Sequence, residues 1–157
     1  MKFSLDVIDR KILRCLQEDA TLPVAAVAER VGLSSTPCWR RIQNLEKAGV
    51  IRKRVVLVDP EKVNVGVTVF VRIKTSQHDH DWLEAFAKAV AGIEEVVEFY
   101  RMSGDVDYLL RIVVPDIASY DAVYKQLIKA AALSDVSSSF AMETIKYTTA
   151  LPVDYAV

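Results

Sequence analysis

The sequence is poor in the residues and patterns that mark several classes of protein. Its 157 residues hold only two cysteines, two histidines, five glycines and five prolines. Two cysteines are too few for a disulfide scaffold, and no run of 18 apolar residues is present, so no membrane-spanning helix is predicted. The early acidic residue Asp6 argues against a secretory signal. An apolar content of 52% and a charged content of 26% are typical of a soluble globular protein, which we expect in the cytoplasm.

The two cysteines, Cys15 and Cys38, both fall on the apolar faces of predicted helices. Their spacing matches no metal-binding motif. A disulfide between them stays open, although reduced thiols that pack as small hydrophobic side chains are favoured. We predict neither a metal nor a cofactor.

Charge is distributed unevenly along the chain, although the formal net charge is only −1. Residues 1–60 contain eleven Lys and Arg against seven Asp and Glu, which gives +4. Residues 61–157 contain nine against fourteen, which gives −5. Because a basic region attracts a polyanion, the first part is the one expected to meet nucleic acid. The turn signal Asp59-Pro60 separates the two parts, so we predict domains at 1–60 and 61–157.

Three amphipathic helices are predicted in the first domain. Asp6 can cap a helix that runs to about Glu18, and a short second helix begins near Pro23 and stops at Gly32. A third helix begins just after this glycine and ends before Gly49. Two short helices joined by a glycine-led turn, the second of them basic on its outside, indicate a helix-turn-helix.

The third helix has an apolar inner face and a basic outer face. At 100° per residue, Cys38, Ile42 and Leu45 form one stripe that would face a core. Side chains on the opposite face can donate hydrogen bonds to bases, since Arg reads guanine and Gln reads adenine in the major groove. A solvated amphipathic helix is the alternative. The predicted DNA contacts of this helix and the turn before it are Ser34, Ser35, Thr36, Pro37, Trp39, Arg40, Arg41, Gln43, Asn44 and Lys47.

A β-branched run with basic residues inside it follows the third helix. Residues 50–58 read Val-Ile-Arg-Lys-Arg-Val-Val-Leu-Val. We predict a short strand or wing in which Arg52, Lys53 and Arg54 contact phosphates, which adds affinity without choice of sequence. A solvated linker is the alternative interpretation.

The second domain changes to a pattern of alternating strands and helices. The predicted elements are a strand at 65–73, a helix from about Asp81, strands at 95–102 and 107–114, a helix capped by Asp116, and a strand at 136–148. This β-α-β-β-α-β order predicts a ferredoxin-like sheet with both helices on one face, and an α+β fold for the whole chain. Apolar side chains on both sides of the strands predict that a second copy covers the other face in a homodimer.

Several separated stretches occur in a fixed order along the chain. They are residues 5–13 (LDVIDRKIL), 31–38 (VGLSSTPC), Arg41-Ile42, Leu45-Glu46, 49–51 (GVI), 103–110 (SGDVDYLL) and the strand around Met142. Together they resemble the Lrp/AsnC family of bacterial and archaeal transcription regulators over essentially the whole chain. The tail at 138–152 resembles a proteobacterial branch that includes regulators responding to cysteine.

The resemblance implies a winged helix-turn-helix domain followed by a RAM or ACT-like domain. In this family the second domain dimerises through its sheets, assembles dimers into tetramers or octamers, and binds a small effector, usually an amino acid, between dimers. The implied partners are therefore promoter or operator double-stranded DNA, an amino-acid effector and further copies of the chain. No membrane partner is implied.

The resemblance also maps an effector pocket onto the hairpin turn and the start of the last strand. Asp105 or Asp107 can pair with an α-ammonium, while turn amides and serine hydroxyls can hold a carboxylate. Gly104 also suits a tight hairpin with a positive φ, and turn capping is an equal alternative for Asp107. Many members have glycine where this chain has Ala131-Ala132-Leu133, so we expect the pocket shape to differ there. The implied effector residues are Arg101, Ser103, Gly104, Asp105, Asp107, Ser137, Ser138 and Ser139.

Two other classes of function compete with a regulator. One is a small enzyme of amino-acid metabolism, for which His78-Asp79-His80-Asp81 is the only cluster that resembles a metal or acid–base site. No other histidine is present to complete a ligand set, so a solvated loop is favoured. The other is a metabolite-binding module without DNA contact, which leaves the basic first domain unexplained. We predict a sequence-specific regulator, not an enzyme, whose effector shifts the population of assemblies that can engage DNA.

Overall fold

A computed structural model describes residues 4–76, 80–130, 133 and 135–156, and the chain divides into two compact units. The first unit comprises Met1–Val56 together with Lys146–Val157, and the second comprises Leu57–Ile145. The elements in chain order are α1 (Val7–Glu18), α2 (Val24–Val31), α3 (Ser35–Lys47), β1 (Val67–Lys74), α4 (His80–Ala91), β2 (Val96–Arg101), β3 (Tyr108–Val114), α5 (Ile117–Ala130), β4 (Asp135–Phe140) and a 3-10 helix at Val153–Tyr155. The predicted boundary at residue 60 lies close to the division after Val56, but the last residues are grouped with the first unit.

The first unit begins with a capped helix and contains the predicted tight turn. The Asp6 carboxylate accepts the backbone N–H of Asp9 at 2.8 Å, while the Asp9 carboxylate accepts the N–H of Asp6 at 3.2 Å. This reciprocal pair satisfies two backbone donors that the start of a helix leaves open. α2 ends at Gly32, whose φ of +75° allows the sharp turn into α3. The helix-turn-helix prediction is confirmed.

The inner faces of α1, α2 and α3 form the core of the first unit. Cys38 is fully buried and Cys15 packs against the same core, and both are free thiols as predicted. Burial raises the pKa of the Cys38 thiol, as expected for a side chain that packs as a small hydrophobe. The buried members of this core are Ile12, Leu13, Val27, Ala28, Val31, Cys38, Ile42 and Leu45.

Residues 50–58 contain no strand, so the strand predicted for this part of the chain is wrong. The run is exposed, and Val56 shows 86% of its surface. A β-branched sequence favours an extended backbone, but a strand also needs a neighbour to satisfy its N–H and C=O groups. No strand of the described residues pairs with this run.

The second unit is a four-stranded antiparallel sheet in the order β2-β3-β1-β4, so the ferredoxin-like prediction is confirmed. In the two central strands, Val69 lies opposite Ile112 and Val71 lies opposite Leu110. These four side chains are fully buried with residues of α4 and α5, whereas Phe70, between Val69 and Val71, is 38% exposed. The alternation predicted for β1 is therefore confirmed.

Aromatic side chains pack together between the sheet and α4. Trp82 and Phe86 stack with their ring centroids 5.1 Å apart. Phe86 also meets Phe99 and Tyr108 edge-on, at 5.6 Å in each case. Such pairs stabilise a core beyond the area that they bury. Phe86, which is fully buried, is the centre of this cluster.

The last strand is shorter than predicted, because β4 ends at Phe140 and not near residue 148. β4 is an edge strand that pairs only with β1, where Phe140 lies opposite Val69. β1 begins at Val67, so little partner backbone remains beyond this pair. The Ala141 N–H still donates to the Thr68 carbonyl at 2.9 Å. The residues that follow have no partner strand within the described part of the chain, and the alternating sequence alone cannot supply one.

The C-terminal tail, residues 146–156, packs on α1 of the first unit. The Leu151 N–H donates to Gln17 Oε1 at 2.7 Å, and Gln17 Nε2 donates to the Leu151 carbonyl at 3.1 Å. Arg14 forms an ion pair with Asp154, and Val153 packs against the apolar core of the unit. Residues 146–157, which the prediction assigned to the second domain at 61–157, are therefore grouped with the first unit.

Some predictions fall on residues outside the described ranges. These residues are His78, Asp79, Ala131 and Ala132. Over the ranges that are described, no helix is both long and apolar enough to cross a membrane, and no group of three or more His, Cys, Asp or Glu residues could hold a metal ion.

Candidate functional site

The inner stripe of α3 is buried as predicted, and this fixes the direction of its outer face. Cys38, Ile42 and Leu45 are each at most 2% exposed. Because the core holds one side of the helix, the other side forms a single polar surface that faces away from the core. The exposed polar members of α3 are Ser35, Thr36, Arg40, Asn44 and Lys47.

The start of α3 offers hydroxyls and backbone donors. Ser34 is the N-cap residue, and its side chain makes no capping hydrogen bond. The side chains of Ser34, Ser35 and Thr36 are exposed, and Pro37 occupies the first turn. The first backbone N–H groups of a helix lack intrahelical acceptors, so such an end favours an anion such as a phosphate.

Arg41 lies on one flank of α3 and contacts the start of α1. Its guanidinium donates to Asp6 Oδ2 and to Asp9 Oδ1, each at 2.7 Å. We call these three side chains the Arg41 clamp. The Asp9 backbone N–H and the Arg41 guanidinium hold the pKa of Asp6 below its usual value, and the two carboxylates raise the pKa of Arg41. Arg41 thus forms ion pairs with two carboxylates of the same unit, and the DNA contact predicted for it stays a prediction.

A second polar group lies on the other flank of α3. Gln43 Nε2 donates to Glu46 Oε2 at 2.9 Å, and Arg54 donates to Glu46 Oε1 at 3.1 Å. We call these three side chains the Glu46 bridge. Trp39, which is 51% exposed, lies on the same flank by helical spacing. Arg54, which was predicted to contact a phosphate, thus forms an ion pair with Glu46 of α3.

The remaining basic residues and the overall charge favour a polyanion at the first unit. Arg52 and Lys53 are exposed, as a phosphate contact requires. Counted on the compact units, the first holds twelve Lys and Arg against seven Asp and Glu, a formal charge of +5. The second holds eight against fourteen, a formal charge of −6. The division after Val56 places Asp59 in the second unit, and this makes the asymmetry larger than the sequence division predicted, whereas Lys146 and Asp154 of the tail cancel each other.

The predicted effector turn joins β2 to β3 and meets the end of β1. Gly104 has a φ of +102°, as a tight hairpin requires. The Asp107 N–H donates to the Ile73 carbonyl at 3.0 Å, and Asp107 Oδ2 accepts the Thr75 N–H at 2.8 Å. Asp107 therefore caps the end of β1. Arg101, Ser103 and Asp105 are exposed around it.

Opposite charges lie beside each other at this sheet edge. Lys74 Nζ is 3.0 Å from Asp105 Oδ1, and the Asp105 side chain is 91% exposed. Lys74 ends β1 and Asp105 lies in the β2–β3 turn, so the register of the sheet brings them together. An exposed pair of this kind contributes little to stability, so it can be broken at little cost. Because both side chains also reach solvent, both can pair with a zwitterion.

The three predicted serines do not line one surface. Ser138 lies opposite the buried Val71, on the helix side of the sheet, and its hydroxyl bonds to the Tyr120 hydroxyl. Ser137 and Ser139 point to the other side, and Ser137 accepts a hydrogen bond from Arg72 at 3.3 Å. Because successive strand residues alternate, no three consecutive serines in a strand can face one ligand. Burial raises the pKa of Tyr120, whose hydroxyl stays neutral at physiological pH.

Two sets of positioning residues were absent from the site predicted from the sequence. Asp6 and Asp9 hold Arg41, and no local pattern joins positions so far apart in the chain. Glu46 accepts a hydrogen bond from Gln43. The sequence could have predicted this pair, because residues three apart on a helix are neighbours.

Profiles of two known domains match the chain. Residues 5–52 match a winged helix-turn-helix DNA-binding domain, and residues 68–151 match the Lrp/AsnC ligand-binding domain. Each match falls largely within one of the two compact units.

Similar proteins match over nearly their whole length. The chain is 50% identical over 151 residues to the DNA-binding transcriptional activator DecR of Escherichia coli K12, covering 96% of this chain and 99% of that protein. It is 36% identical over 150 residues to the leucine-responsive regulatory protein of Klebsiella pneumoniae, covering 95% of this chain and 92% of that protein.

Solved structures share the fold. An AsnC family transcriptional regulator from Agrobacterium tumefaciens matches with a TM-score of 0.95 and 65% identity, over 98% of this chain and 100% of the other. A transcriptional regulator from Neisseria meningitidis, solved as a complex with L-Met, matches with a TM-score of 0.91 and 38% identity, over 96% and 98%.

A helix-turn-helix unit with an outward polar helix, joined to a ferredoxin-like sheet unit, defines a two-domain DNA-binding regulator. The chain belongs to the Lrp/AsnC family of transcriptional regulators, with a DNA-binding domain and a ligand-binding domain.

Proposed function

We propose that α3 reads double-stranded promoter or operator DNA in the major groove, with Arg40 and Gln43 as the main base-reading residues. The observation that carries this proposal is the outward polar face of α3, held opposite a buried apolar stripe. Arg can bond bidentately to guanine and Gln to adenine, so this face can discriminate between base pairs. Arg52 and Lys53 supply phosphate contacts. The other α3 residues placed at the DNA in this proposal are Thr36, Trp39, Asn44 and Lys47.

The test compares one duplex selected from a randomised pool with a scrambled duplex of the same composition. Arg40→Ala is expected to weaken binding to the selected duplex by about 1–3 kcal/mol and to affect the scrambled duplex less. Arg30→Ala, which removes an exposed arginine from α2, is the matched control. An equal loss on both duplexes would assign Arg40 to a phosphate and not to a base.

We further propose that an amino-acid effector binds at the sheet edge where the β2–β3 turn meets the end of β1. Asp105 and Lys74 supply the opposite charges that an α-ammonium and an α-carboxylate require. Asp107 supports the turn, since one of its oxygens already accepts the Thr75 N–H. The Neisseria relative in complex with L-Met and the leucine-responsive Klebsiella relative support an amino acid as the effector class.

Calorimetry with cysteine, methionine, leucine and glutamate tests this site. Asp105→Asn is expected to weaken the best ligand on the order of tenfold, because a charged partner of the ammonium is lost. Asp121→Asn removes an exposed acid from α5 and is the matched control. Unchanged affinity in the Asp105 variant would place the ligand elsewhere.

The protein forms a homodimer that assembles into tetramers or octamers in this proposal, with the effector between dimers. Phe70 and Tyr100 are 38% and 49% exposed on the sheet face that the helices leave uncovered. The run from Val55 to Val58 is also apolar and exposed. Sedimentation of Phe70→Lys tests the dimer, since a charge on this face opposes association. A mass unchanged from the wild type would contradict the sheet interface.

The effector acts, in this proposal, by favouring one assembly and so changing how many α3 helices engage DNA together. The protein works in the cytoplasm by binding and without catalysis. Sedimentation and footprinting, each with and without the amino acid, provide the measurement. If the effector altered neither the assembly nor the footprint, this mode of regulation would be wrong. Turnover of an amino acid that a chelator abolishes would instead favour an enzyme.

A further inference from the structure

Glu46 is an acidic residue beside the surface of α3 that faces DNA in the proposed function. Its two carboxylate oxygens serve different partners. Oε2 accepts the Gln43 amide at 2.9 Å, and Oε1 accepts the Arg54 guanidinium at 3.1 Å. Glu46 itself is partly buried, with its side chain 33% exposed. The carboxylate thus connects a residue of the outer face of α3 to the segment that follows the helix.

We propose that Glu46 is a positioning residue, which holds the Gln43 amide in the orientation that reads a base. This inference rests on the proposed reading of the major groove by α3. Glu46 acts through Gln43 and does not itself contact the DNA. Arg54 holds the carboxylate in place from the other side.

The chemistry of the two groups fixes the orientation of the amide. An ionised carboxylate only accepts hydrogen bonds, so the amide must turn its Nε2 and not its Oε1 toward Glu46. One N–H and the carbonyl oxygen of Gln43 remain for a partner. Adenine in the major groove needs this combination, since it presents one acceptor and one donor. An unheld Gln43 side chain would rotate freely and would lose this orientation before binding.

The negative charge of Glu46 should also act on DNA directly. In the proposed complex, phosphates near α3 would repel this carboxylate, and the Arg54 guanidinium would offset that repulsion only in part. Removal of Glu46 is therefore expected to have two effects of opposite sign. Affinity for DNA of any sequence should stay the same or rise, while discrimination between sequences should fall.

The test uses the full-length protein, the selected and scrambled duplexes, and the variants Glu46→Ala and Gln43→Ala. Glu46→Ala is expected to lower the ratio of the two affinities about tenfold, the discrimination of one bidentate contact. Affinity for the scrambled duplex should not fall. Selection with each variant should relax the base preference at the same base pair, and the double variant should lose no more discrimination than Gln43→Ala alone.

Glu29→Ala is the matched control, because it removes an exposed glutamate from α2 of the same unit. If Glu46→Ala does not fold, Glu46→Asp keeps the charge but shortens the reach, and it should lower the affinity ratio with no gain on the scrambled duplex. An unchanged ratio in the Glu46 variants, with a relaxed base pair in Gln43→Ala, would overturn the inference alone. An unchanged base preference in Gln43→Ala would overturn both the inference and the reading by Gln43.

Discussion

The two compact units hold their surfaces in place in different ways. In the first unit a small apolar core is supplemented by polar contacts: the Arg41 clamp, the Glu46 bridge and the hydrogen bonds of the C-terminal tail. The second unit is stabilised by strand pairing and by the aromatic cluster around Phe86. The stability of the first unit therefore depends more on polar contacts that salt can weaken, whereas the sheet unit depends mainly on close packing.

The largest effect should come from a cavity in the second unit. Phe86→Ala removes a fully buried ring that touches three other aromatic side chains, and it is expected to lower the free energy of unfolding by about 3–5 kcal/mol. Urea unfolding followed by Trp82 fluorescence measures this loss. Phe70→Ala, at a ring that is 38% exposed, is the control and should cost much less. Similar losses would show that packing of the aromatic cluster is not decisive.

Breaking the Arg41 clamp should have a smaller effect on the first unit. Arg41→Met leaves Asp9, which is 8% exposed, without its charged partner, so the free energy of unfolding should fall by about 1–3 kcal/mol. Trp39 fluorescence reports on this unit. The dependence of DNA affinity on salt should keep its slope, because no phosphate contact is lost, whereas the slope should change if Arg41 binds a phosphate.

Acid should weaken both units modestly. Hydrogen bonding from Arg111 holds the pKa of Glu98 below its ordinary value of 4.5, and the Asp9 N–H and Arg41 do the same for Asp6, ordinarily 3.8. Both pKa values are lowered by folding, so the stabilisation is present above these ordinary values and is lost as pH falls through the lowered ones.

Unfolding measured between pH 6 and pH 3 tests this dependence in each unit. Asp6→Asn should reduce the acid-induced loss of unfolding free energy measured through Trp39 fluorescence. Glu98→Gln should reduce the corresponding loss measured through Trp82 fluorescence. Because both carboxylates are partly exposed to solvent, each effect is expected to be about 0.5 kcal/mol. Equal flattening of both signals by one substitution would show that the units do not unfold separately.

The smallest effect on stability should come from the tail. Arg14→Ala removes an ion pair with Asp154 whose side chains are 50% and 73% exposed, so a loss of about 0.2 kcal/mol, the low end for exposed pairs, is expected. Hydrogen exchange at the Leu151 amide should nevertheless become faster, because the tail is held less firmly on α1. Arg30→Ala, which breaks an exposed pair with Glu18, is the control and should leave this amide unchanged.

Much of the fold follows from local patterns in the sequence. The stripe Cys38, Ile42 and Leu45 and the alternation of Val69 and Val71 depend only on helix and strand periods, so the buried faces could be predicted. The hairpin at Gly104 could also be predicted locally, because the positive φ that such a turn requires favours glycine.

Other features depend on segments that are distant in the chain. β4 stops at Phe140 because β1 provides little further partner backbone, which the alternating residues after Phe140 do not reveal. Arg41 looks like a DNA contact by its charge and position, yet it is held by Asp6 and Asp9 of another helix. Which DNA and effector residues act as proposed depends on partners outside the chain, so those assignments stay predictions.

The return of the tail to α1 has a consequence for the order in which the protein is made. Gln17 and Leu151 are 134 residues apart in sequence, and Arg10, whose guanidinium donates to the Ala156 carbonyl, is 146 residues from its partner. Contacts of such long range can close only after the entire sheet unit has been synthesised. The helices of the DNA-binding unit are therefore translated before the sheet unit, whereas the tail that packs on α1 is translated after it, and a fragment that stops after α3 would leave one side of α1 uncovered.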